Sequence, residues 1–335
     1  MKTVRIGLLG CGTVGNGFVR LVERERERIA AQHGVALDIT RILVRDPAKE
    51  RVQVDQRLVT TSAIDVIDGE CDVLVELVGG VHAAGAFIRR ALTRGVDVVT
   101  ANKALLAACG PELFAFAERT GAQIGFEASV CGALPIIGVL RGMTGDRIES
   151  ITAILNATCN FILTRMEEGD LDLDAATAIA QQHGFAEADP SLDVDGTDAA
   201  QKLQILAGIA FGGANVVRLR VQGIRDVRKA EVEQARTRGC AVRLVAAARR
   251  LPGGVELRVE MRELPLTHPL AIVKDEDNAV IVRGRAAGEM LFRGKGAGSL
   301  PTATAVLADV VKLACGIRHA EPRRRRSISA AEVVV

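Results

Sequence analysis

The chain is 335 residues long, with 43 basic and 41 acidic side chains and a formal net charge of +2. That balance excludes a global field for nucleic acid or an anionic membrane, and the absence of Trp and Tyr leaves few platforms for stacking bases. Hydrophobic residues at 48% and charged residues at 25% are ordinary for a folded chain, and the length suits about two domains.

The first residues, MKTVR followed by IGLLGC, mimic a short secretion signal. Glycines interrupt the apolar run before it reaches the ~7–15 residues such a signal needs. No uncharged stretch reaches the ~18 residues needed to span a bilayer. The cysteines, at Cys11, Cys71, Cys109, Cys131, Cys159, Cys240 and Cys315, show no CxxC spacing. They read as reduced thiols, and the expected location is the cytoplasm.

Short apolar strands are predicted over Val4–Leu9, Leu37–Val44, Cys71–Val78, Val96–Thr100 and Gln123–Phe126. Helices are predicted between them, including Ala83–Arg94 and Pro111–Thr120, and alternation of this kind implies a parallel sheet. The run ERERER at 23–28 reads as a solvated helix face. From about residue 150 the pattern changes. Ile148–Leu155 reads as a strand, and Asp174–Gln182 and Asp198–Phe211 as helices. Residues 230–250 read as one amphipathic helix. Val255, Leu257, Val259 and Met261 alternate with charged residues, the mark of a one-sided antiparallel strand. Ala279–Val282 and Glu289–Phe292 continue that sheet, and Pro301–Cys315 forms a last helix. Arg323–Arg326 begins a tail expected to be disordered.

The fold class expected is α/β: a Rossmann-type parallel-sheet domain and an α+β domain for substrate binding and dimerisation, with a mainly antiparallel sheet. The first is expected over 1–128, completed by 296–320, the second over 129–295, and the basic tail over 321–335.

Gly10, Gly12 and Gly15 form a GxGxxG that directly follows a predicted strand and opens a predicted helix. In that context the first glycine serves the turn, the second admits a pyrophosphate and the third packs helix on strand. The helix N-terminus then presents free N–H groups to the phosphates. Without a ligand, the same pattern is a glycine turn. Arg45 ends the second strand ahead of Asp46, with Lys49 nearby; an arginine there suits a 2′-phosphate, so NADP is favoured, with NAD also usable. Arg45 also reads as a surface residue.

Residues 184–202 carry acids at Glu187, Asp189, Asp193, Asp195 and Asp198, with Lys202 beyond. Asp198 and Lys202 share one face of a helix. An isolated pair of this kind is an ordinary salt bridge, but so many acids together suit a cationic amine, with a lysine placed for proton transfer.

These segments resemble homoserine dehydrogenase over nearly the whole chain: GLLGCGTVG at 7–15, TANKALLA at 100–107, EASVCGALPII at 127–137, ILNATCNFIL at 154–163, GFAEADPSLDVDGTDAAQKL at 184–203 and GAGSLPTA at 296–303. The resemblance implies interconversion of L-homoserine and L-aspartate 4-semialdehyde with NAD(P), on the route to threonine, methionine and isoleucine. It makes Lys202 the proton-exchanging lysine and Asp198 its substrate-binding partner. Glu187 and Asp193 would hold the substrate ammonium, and Thr158 would contact substrate. Lys103 would touch nicotinamide and substrate. Thr13 and Val14 would join the glycines in the cofactor loop, and Gly298 would return to the cofactor side. Glu127, with the carbonyls of Val130, Gly132 and Leu134, would bind a monovalent cation such as sodium.

The loop 156–160 reads Asn-Ala-Thr-Cys-Asn where the family usually has Asn-Gly-Thr-Thr-Asn, so Ala157 and Cys159 are where substrate choice would drift. The alternative is thus a related NAD(P)-dependent dehydrogenase acting on another small amino acid or semialdehyde. A dinucleotide sensor without turnover would not need Lys103, Asp198 and Lys202. The resemblance is to a short form without the C-terminal regulatory domain, so threonine feedback through that domain is not expected. The expected partners are a small-molecule substrate and a second copy in a homodimer, with neither nucleic acid nor membrane. A lysine acting as base implies oxidation that is faster at alkaline pH.

Overall fold

A computed structural model describes residues 1–51 and 53–317. The tail expected over 321–335, and the end of the segment expected to complete the first domain, lie outside the described residues. The chain divides into two compact units: Met1–Ile137 joined by the segment that starts at Gly298, and Gly138–Ala297.

The first unit begins with β1 (Lys2–Leu9), α1 (Thr13–His33), β2 (Val35–Leu43), β3 (Val59–Thr60), α2 (Ala63–Ile67) and β4 (Val73–Glu76). It continues with α3 (His82–Thr93), β5 (Asp97–Thr100), α4 (Lys103–Thr120) and β6 (Ile124–Gly125). The six strands are parallel, in the order β3-β2-β1-β4-β5-β6. This is the doubly wound order, whose switch point lies between β1 and β4 and whose ligands sit beyond the carboxyl ends of the strands there. The β4 residues Val73–Glu76 are all buried, which explains the apolar run Val73–Val75. Helix α1 buries Phe18, Leu21, Val22 and Ile29, while the run 23–28 turns outward and pairs internally, Arg28 with Glu25 at 2.7 Å and Arg26 with Glu23 at 3.1 Å.

Helix α4 contains the predicted segment Pro111–Thr120 but starts earlier, at Lys103. Cys109 leaves helical geometry (φ −142°, ψ 19°), two residues before Pro111. The break is where a proline is tolerated, because Pro111 then opens a second helical stretch whose first N–H groups need no partner within the helix.

The helix α5 (Ile136–Gly142) runs across the chain junction, and the second unit follows with β7 (Ile148–Ile154), α6 (Ala157–Gly169), α7 (Leu173–Gln182), α8 (Ser191–Val194), α9 (Thr197–Ala210), β8 (Val216–Val221), α10 (Lys229–Thr237), β9 (Cys240–Leu251), β10 (Gly254–Pro265), β11 (Asp277–Gly284) and β12 (Gly288–Lys295). Its sheet runs β12-β11-β7-β9-β10-β8 and is antiparallel throughout except where β8 pairs parallel to β10.

The single helix expected over 230–250 is not formed. Helix α10 ends at Thr237, Gly239 turns the chain at φ +70°, and residues from Cys240 onward are a strand. That strand lies in the middle of the sheet between β7 and β10, with Val242, Leu244, Ala246 and Ala248 buried. Its alanines favour a helix, but pairing on both sides outweighs that preference, and burial on both faces removes the alternation that marks an exposed strand. Arg243 in β9 is fully buried, and donates to Glu167 at 2.8 Å and to the carbonyls of Ala271 and Val273 at 2.7 and 3.1 Å. Burial of a charge is tolerated only with that kind of pairing.

The last helix, α11 (Ser299–Ala314), belongs to the first unit. Ala303, Val306, Leu307 and Val310 join the core formed by Val4, Ile6 and Leu8 of β1 and Phe18 and Val22 of α1. Each large side chain in such a core contributes about 1.5–3 kcal/mol. Gly17 of α1 has no room for a Cβ, which would lie 2.6 Å from Ser299 Oγ. Among the described residues no helix is long and apolar enough to cross a membrane.

Candidate active site

The three glycines after β1 differ in what surrounds them. Gly10 has φ +96°, and a Cβ there would stand 2.8 Å from the Leu77 carbonyl oxygen. Gly15 sits in the first turn of α1, where a Cβ would be 2.2 Å from the Gly10 carbonyl oxygen. A Cβ on Gly12 would meet nothing within 4 Å among the described residues. Two glycines are thus required by the protein's own packing, while the third keeps a surface open, as a cradle for a dinucleotide requires. No acid occupies the first turn of α1, and its N-cap, Gly12, makes no side-chain cap bond. Thr13 is exposed and Val14 half-buried at this end. Ser299 donates to the Thr13 carbonyl at 2.7 Å, which sets Gly298 (φ +122°), the residue before α11, beside the same loop.

The Gly10 N–H donates to the carbonyl of Leu43, the last residue of β2, at 3.0 Å. Arg45 follows, exposed. A second cation lies closer to the loop. Arg51 donates to the carbonyls of Lys49 and Asp46 at 2.7 and 2.9 Å, and its charge opposes the burial that pushes the Cys11 thiol up.

At the ends of β4 and β5, buried Glu76 accepts the N–H groups of Val78 and Gly79, both at 2.9 Å, and the Thr100 hydroxyl at 2.6 Å. Thr100 in turn accepts Asn102 N–H at 3.0 Å, and Asn102 caps α4 by accepting Leu105 N–H at 3.1 Å. Lys103 is the first residue of that helix. Glu76, Thr100 and Asn102 therefore fix the backbone that carries Lys103.

Glu127 is buried (3% exposed) and accepts the Ile137 N–H at 2.7 Å, so the chain from 127 to 137 curls back on its carboxylate. Cys131 and Gly132 at the bend are both left-handed, at φ +58° and +55°. Asp309 of α11 accepts Glu127 N–H at 2.7 Å, and Lys312 brings its ammonium to 3.2 Å from Asp309 and 3.7 Å from Glu127. The bend carries the carbonyls of Val130, Gly132 and Leu134. A carboxylate and backbone carbonyls are the donor types that a hard monovalent cation takes, though the Leu134 carbonyl already accepts the Ile136 N–H at 2.8 Å. Lys312 is a positive charge already on that carboxylate.

In the second unit the acidic run separates into two groups. Asp189 accepts both the hydroxyl and the N–H of Ser191, at 2.6 and 3.1 Å, and Asp195 pairs with Arg225 at 2.6 Å. Both are exposed, and these donors hold their carboxyls below the usual range. Asp193 and Asp198 instead converge on one amide. Asn156 donates to Asp193 at 2.6 Å and to Asp198 at 2.8 Å. Lys202 lies one turn beyond Asp198 on α9, with its ammonium 2.8 Å from the same Asp198 oxygen and 2.8 Å from the Leu155 carbonyl. The two side chains are only 12% and 6% exposed. This is not the solvated surface pair that the spacing alone permits. Asn278, fully buried, donates to the same Leu155 carbonyl at 3.1 Å.

The segment 156–160 is not a loop: only Asn156 precedes α6, and Ala157–Asn160 form its first turn. Thr158 donates to the Phe185 carbonyl at 2.7 Å and so ties α6 to the segment bearing Glu187. Glu187 itself is exposed, with its carbonyl held by Gln181 at 3.1 Å. Cys159 is fully buried, its thiol pushed well up by burial, and it donates to the Asp193 carbonyl at 3.2 Å.

Asn156, Glu76, Asn102 and Lys312 were not identified from the sequence. Asn156 and Asn102 each carry a local signal, as capping residues ahead of the apolar runs Phe161–Leu163 and Ala104–Ala107.

A family model described as homoserine dehydrogenase matches residues 135–311, and one described as homoserine dehydrogenase, NAD binding domain, matches residues 10–127. Homoserine dehydrogenase of Bacillus subtilis is 41% identical over 322 residues, covering 95% of this chain and 74% of the relative. That of Pseudomonas aeruginosa is 41% identical over 314 residues, covering 93% and 72%. Among solved structures, a homoserine dehydrogenase from Thiobacillus denitrificans aligns with a TM-score of 0.87 at 40% identity, over 94% of this chain and 74% of that one. A hyperthermophilic archaeal homoserine dehydrogenase in complex with NADPH aligns with a TM-score of 0.81 at 30% identity, over 95% and 99%. With both family models and relatives of this identity along its length, the chain belongs to the homoserine dehydrogenase family of NAD(P)-dependent oxidoreductases.

Proposed function

We propose that this protein interconverts L-homoserine and L-aspartate 4-semialdehyde, with Lys202 exchanging the proton at the substrate oxygen. The observation that carries this reading is the ammonium of Lys202, buried between Asp198 and the Leu155 carbonyl at 2.8 Å each. Two fixed acceptors orient the ammonium group, so that proton exchange would run along a defined direction. Bound NAD(P) supplies or accepts the hydride. Its phosphates would rest on Gly10, Gly12, Thr13, Val14 and Gly15, with Gly298 alongside; the open surface at Gly12 supports this. Lys103 would contact nicotinamide and substrate, and Arg45 would favour NADP.

Asp193 and Asp198 hold like charge on either side of Asn156, an arrangement suited to an amino acid's ammonium group. Glu187 and Thr158 would complete the grip. A monovalent cation would bind Glu127 with the carbonyls of Val130, Gly132 and Leu134. The first unit is read as the dinucleotide-binding domain and the second as the substrate-binding and dimerisation domain of a homodimer acting in the cytoplasm.

The test is oxidation of L-homoserine by purified protein with NADP or NAD, with and without added sodium or potassium, beside a panel of other small amino alcohols. Preferred turnover of L-homoserine supports the reading. Higher kcat/KM for another amino alcohol would replace it with the related dehydrogenase that Ala157 and Cys159 raise.

A further inference from the structure

Asn156 stands at the centre of the acidic cluster, and its own contacts leave it one orientation. Its side-chain oxygen accepts the Cys159 N–H at 2.6 Å and caps α6. Its NH2 group then faces Asp193 at 2.6 Å and Asp198 at 2.8 Å. The flipped amide would set an oxygen against two carboxylates and an NH2 against an N–H, so the network fixes the assignment. The side chain is 3% exposed.

The three elements it joins are separate in sequence: the start of α6, the short α8 that carries Asp193, and the first turn of α9 that carries Asp198. Two carboxylates this close repel one another, and each favours protonation of the other. A cationic side chain between them would hold them too, but it would cancel their charge. A neutral amide supplies two donors and no charge. The amide thus holds the two acids without adding a positive charge to that of Lys202, which lies 2.8 Å from Asp198. The Asp198 oxygen that Asn156 holds is also the one that Lys202 approaches, so the position of the amide is passed on to the lysine.

We infer that Asn156 is a positioning residue of the active site, setting Asp193 and Asp198 to receive the substrate ammonium and fixing Asp198 against Lys202. This rests on the reading of Lys202 and its acids given above, and deepens it.

The test compares Asn156→Ser and Asn156→Asp with the unaltered protein and with Lys202→Ala. Serine and aspartate both cap helices about as well as asparagine, so both variants keep α6 capped. Serine is too short to bridge the two acids. It is expected to raise KM for L-homoserine and lower kcat, together on the order of 10²-fold in kcat/KM, with KM for the dinucleotide within about twofold. Aspartate keeps the shape but sets a third negative oxygen against the pair. Its deficit relative to the unaltered protein is expected to be greatest at pH 8 and to shrink toward pH 5.5, where the added acid takes a proton and donates again. Ordinary kinetics for both variants, or an Asn156→Asp deficit unchanged with pH, would overturn the inference while Lys202→Ala still lost turnover. Near-normal turnover in Lys202→Ala would overturn the reading of the site itself, and the inference with it.

Discussion

Lys202 and Asp198 face each other at 2.8 Å across one turn of α9, both almost wholly buried. A buried ion pair of this kind is costly to hold and weak as a source of stability. Its worth lies in chemistry, where a fixed ammonium can serve as acid to a developing alkoxide. Lys202→Ala is expected to lose on the order of 10²–10⁴-fold in kcat. Lys202→Arg should fare little better, because a guanidinium does not give up its proton. Steady-state kinetics with circular dichroism to confirm folding would check both, and near-normal turnover in either would remove Lys202 from the proton path.

The glycine loop yields a paired prediction. Gly12 has φ −83°, which alanine accepts, and open space where its Cβ would stand. Gly12→Ala should leave the unfolding midpoint unchanged or slightly raised, and weaken dinucleotide binding about tenfold or more, because among the described residues the new methyl meets nothing and a bound dinucleotide would meet it. In Gly15→Ala the methyl would lie 2.2 Å from the Gly10 carbonyl oxygen, so the turn must open. That should cost about 1–3 kcal/mol of stability as well as binding. Thermal melts and dinucleotide titrations on both variants separate the roles; equal destabilisation would show that the loop does not divide its glycines this way.

Arg45 lies two residues beyond Leu43, the last residue of β2, whose carbonyl accepts the Gly10 N–H. An exposed guanidinium there can hold a 2′-phosphate with charge-assisted bonds. Arg45→Ala should raise KM for NADP on the order of tenfold, and KM for NAD far less. Equal changes would shift the selection to another cation, for which Arg51 is the nearest candidate.

The parts legible in the sequence were those whose cause is local. The apolar run of β1, the glycines and the amphipathic α1 are adjacent in the chain, and each constrains the next. Helix α9 showed its face through Leu203 and Leu206, and Asp198 and Lys202 come with it. Asn156 did not show itself, because its partners lie 37 and 42 residues away. Among the five acids of 184–202, it was the resemblance, not their spacing, that set Glu187, Asp193 and Asp198 apart. Asp189 and Asp195 differ from Asp193 and Asp198 only in what the folded chain brings to them: Ser191 and Arg225 at the surface, Asn156 in the interior. Strand β9 misled for a related reason. Its alanines speak for a helix, and its two neighbouring strands, remote in sequence, decide otherwise.

Cys71 supplies a pH dependence that involves no catalytic group. It stands just before β4, 9% exposed, with its sulfur against Gly7 of β1, where an added Cβ would be 3.0 Å away. Burial pushes its thiol up to about 11 from an ordinary 9.0, a hydrogen bond from the Gly7 backbone opposing only part of that. Below pH 9 the thiol is protonated in both folded and unfolded chains and stability does not depend on it. Between pH 9 and about 11 the unfolded chain releases the proton while the folded chain keeps it, so the unfolded state binds fewer protons and stability falls as pH rises. The loss by pH 10.5 should be about 2 kcal/mol from this residue. Cys71→Ala removes the titration at the expense of a small cavity. The variant should therefore be the less stable protein at pH 8, and the gap in urea midpoint should narrow or reverse at pH 10.5. A gap that stays constant over that range would mean the thiol is hydrated in the folded protein and its burial at the base of β4 is wrong.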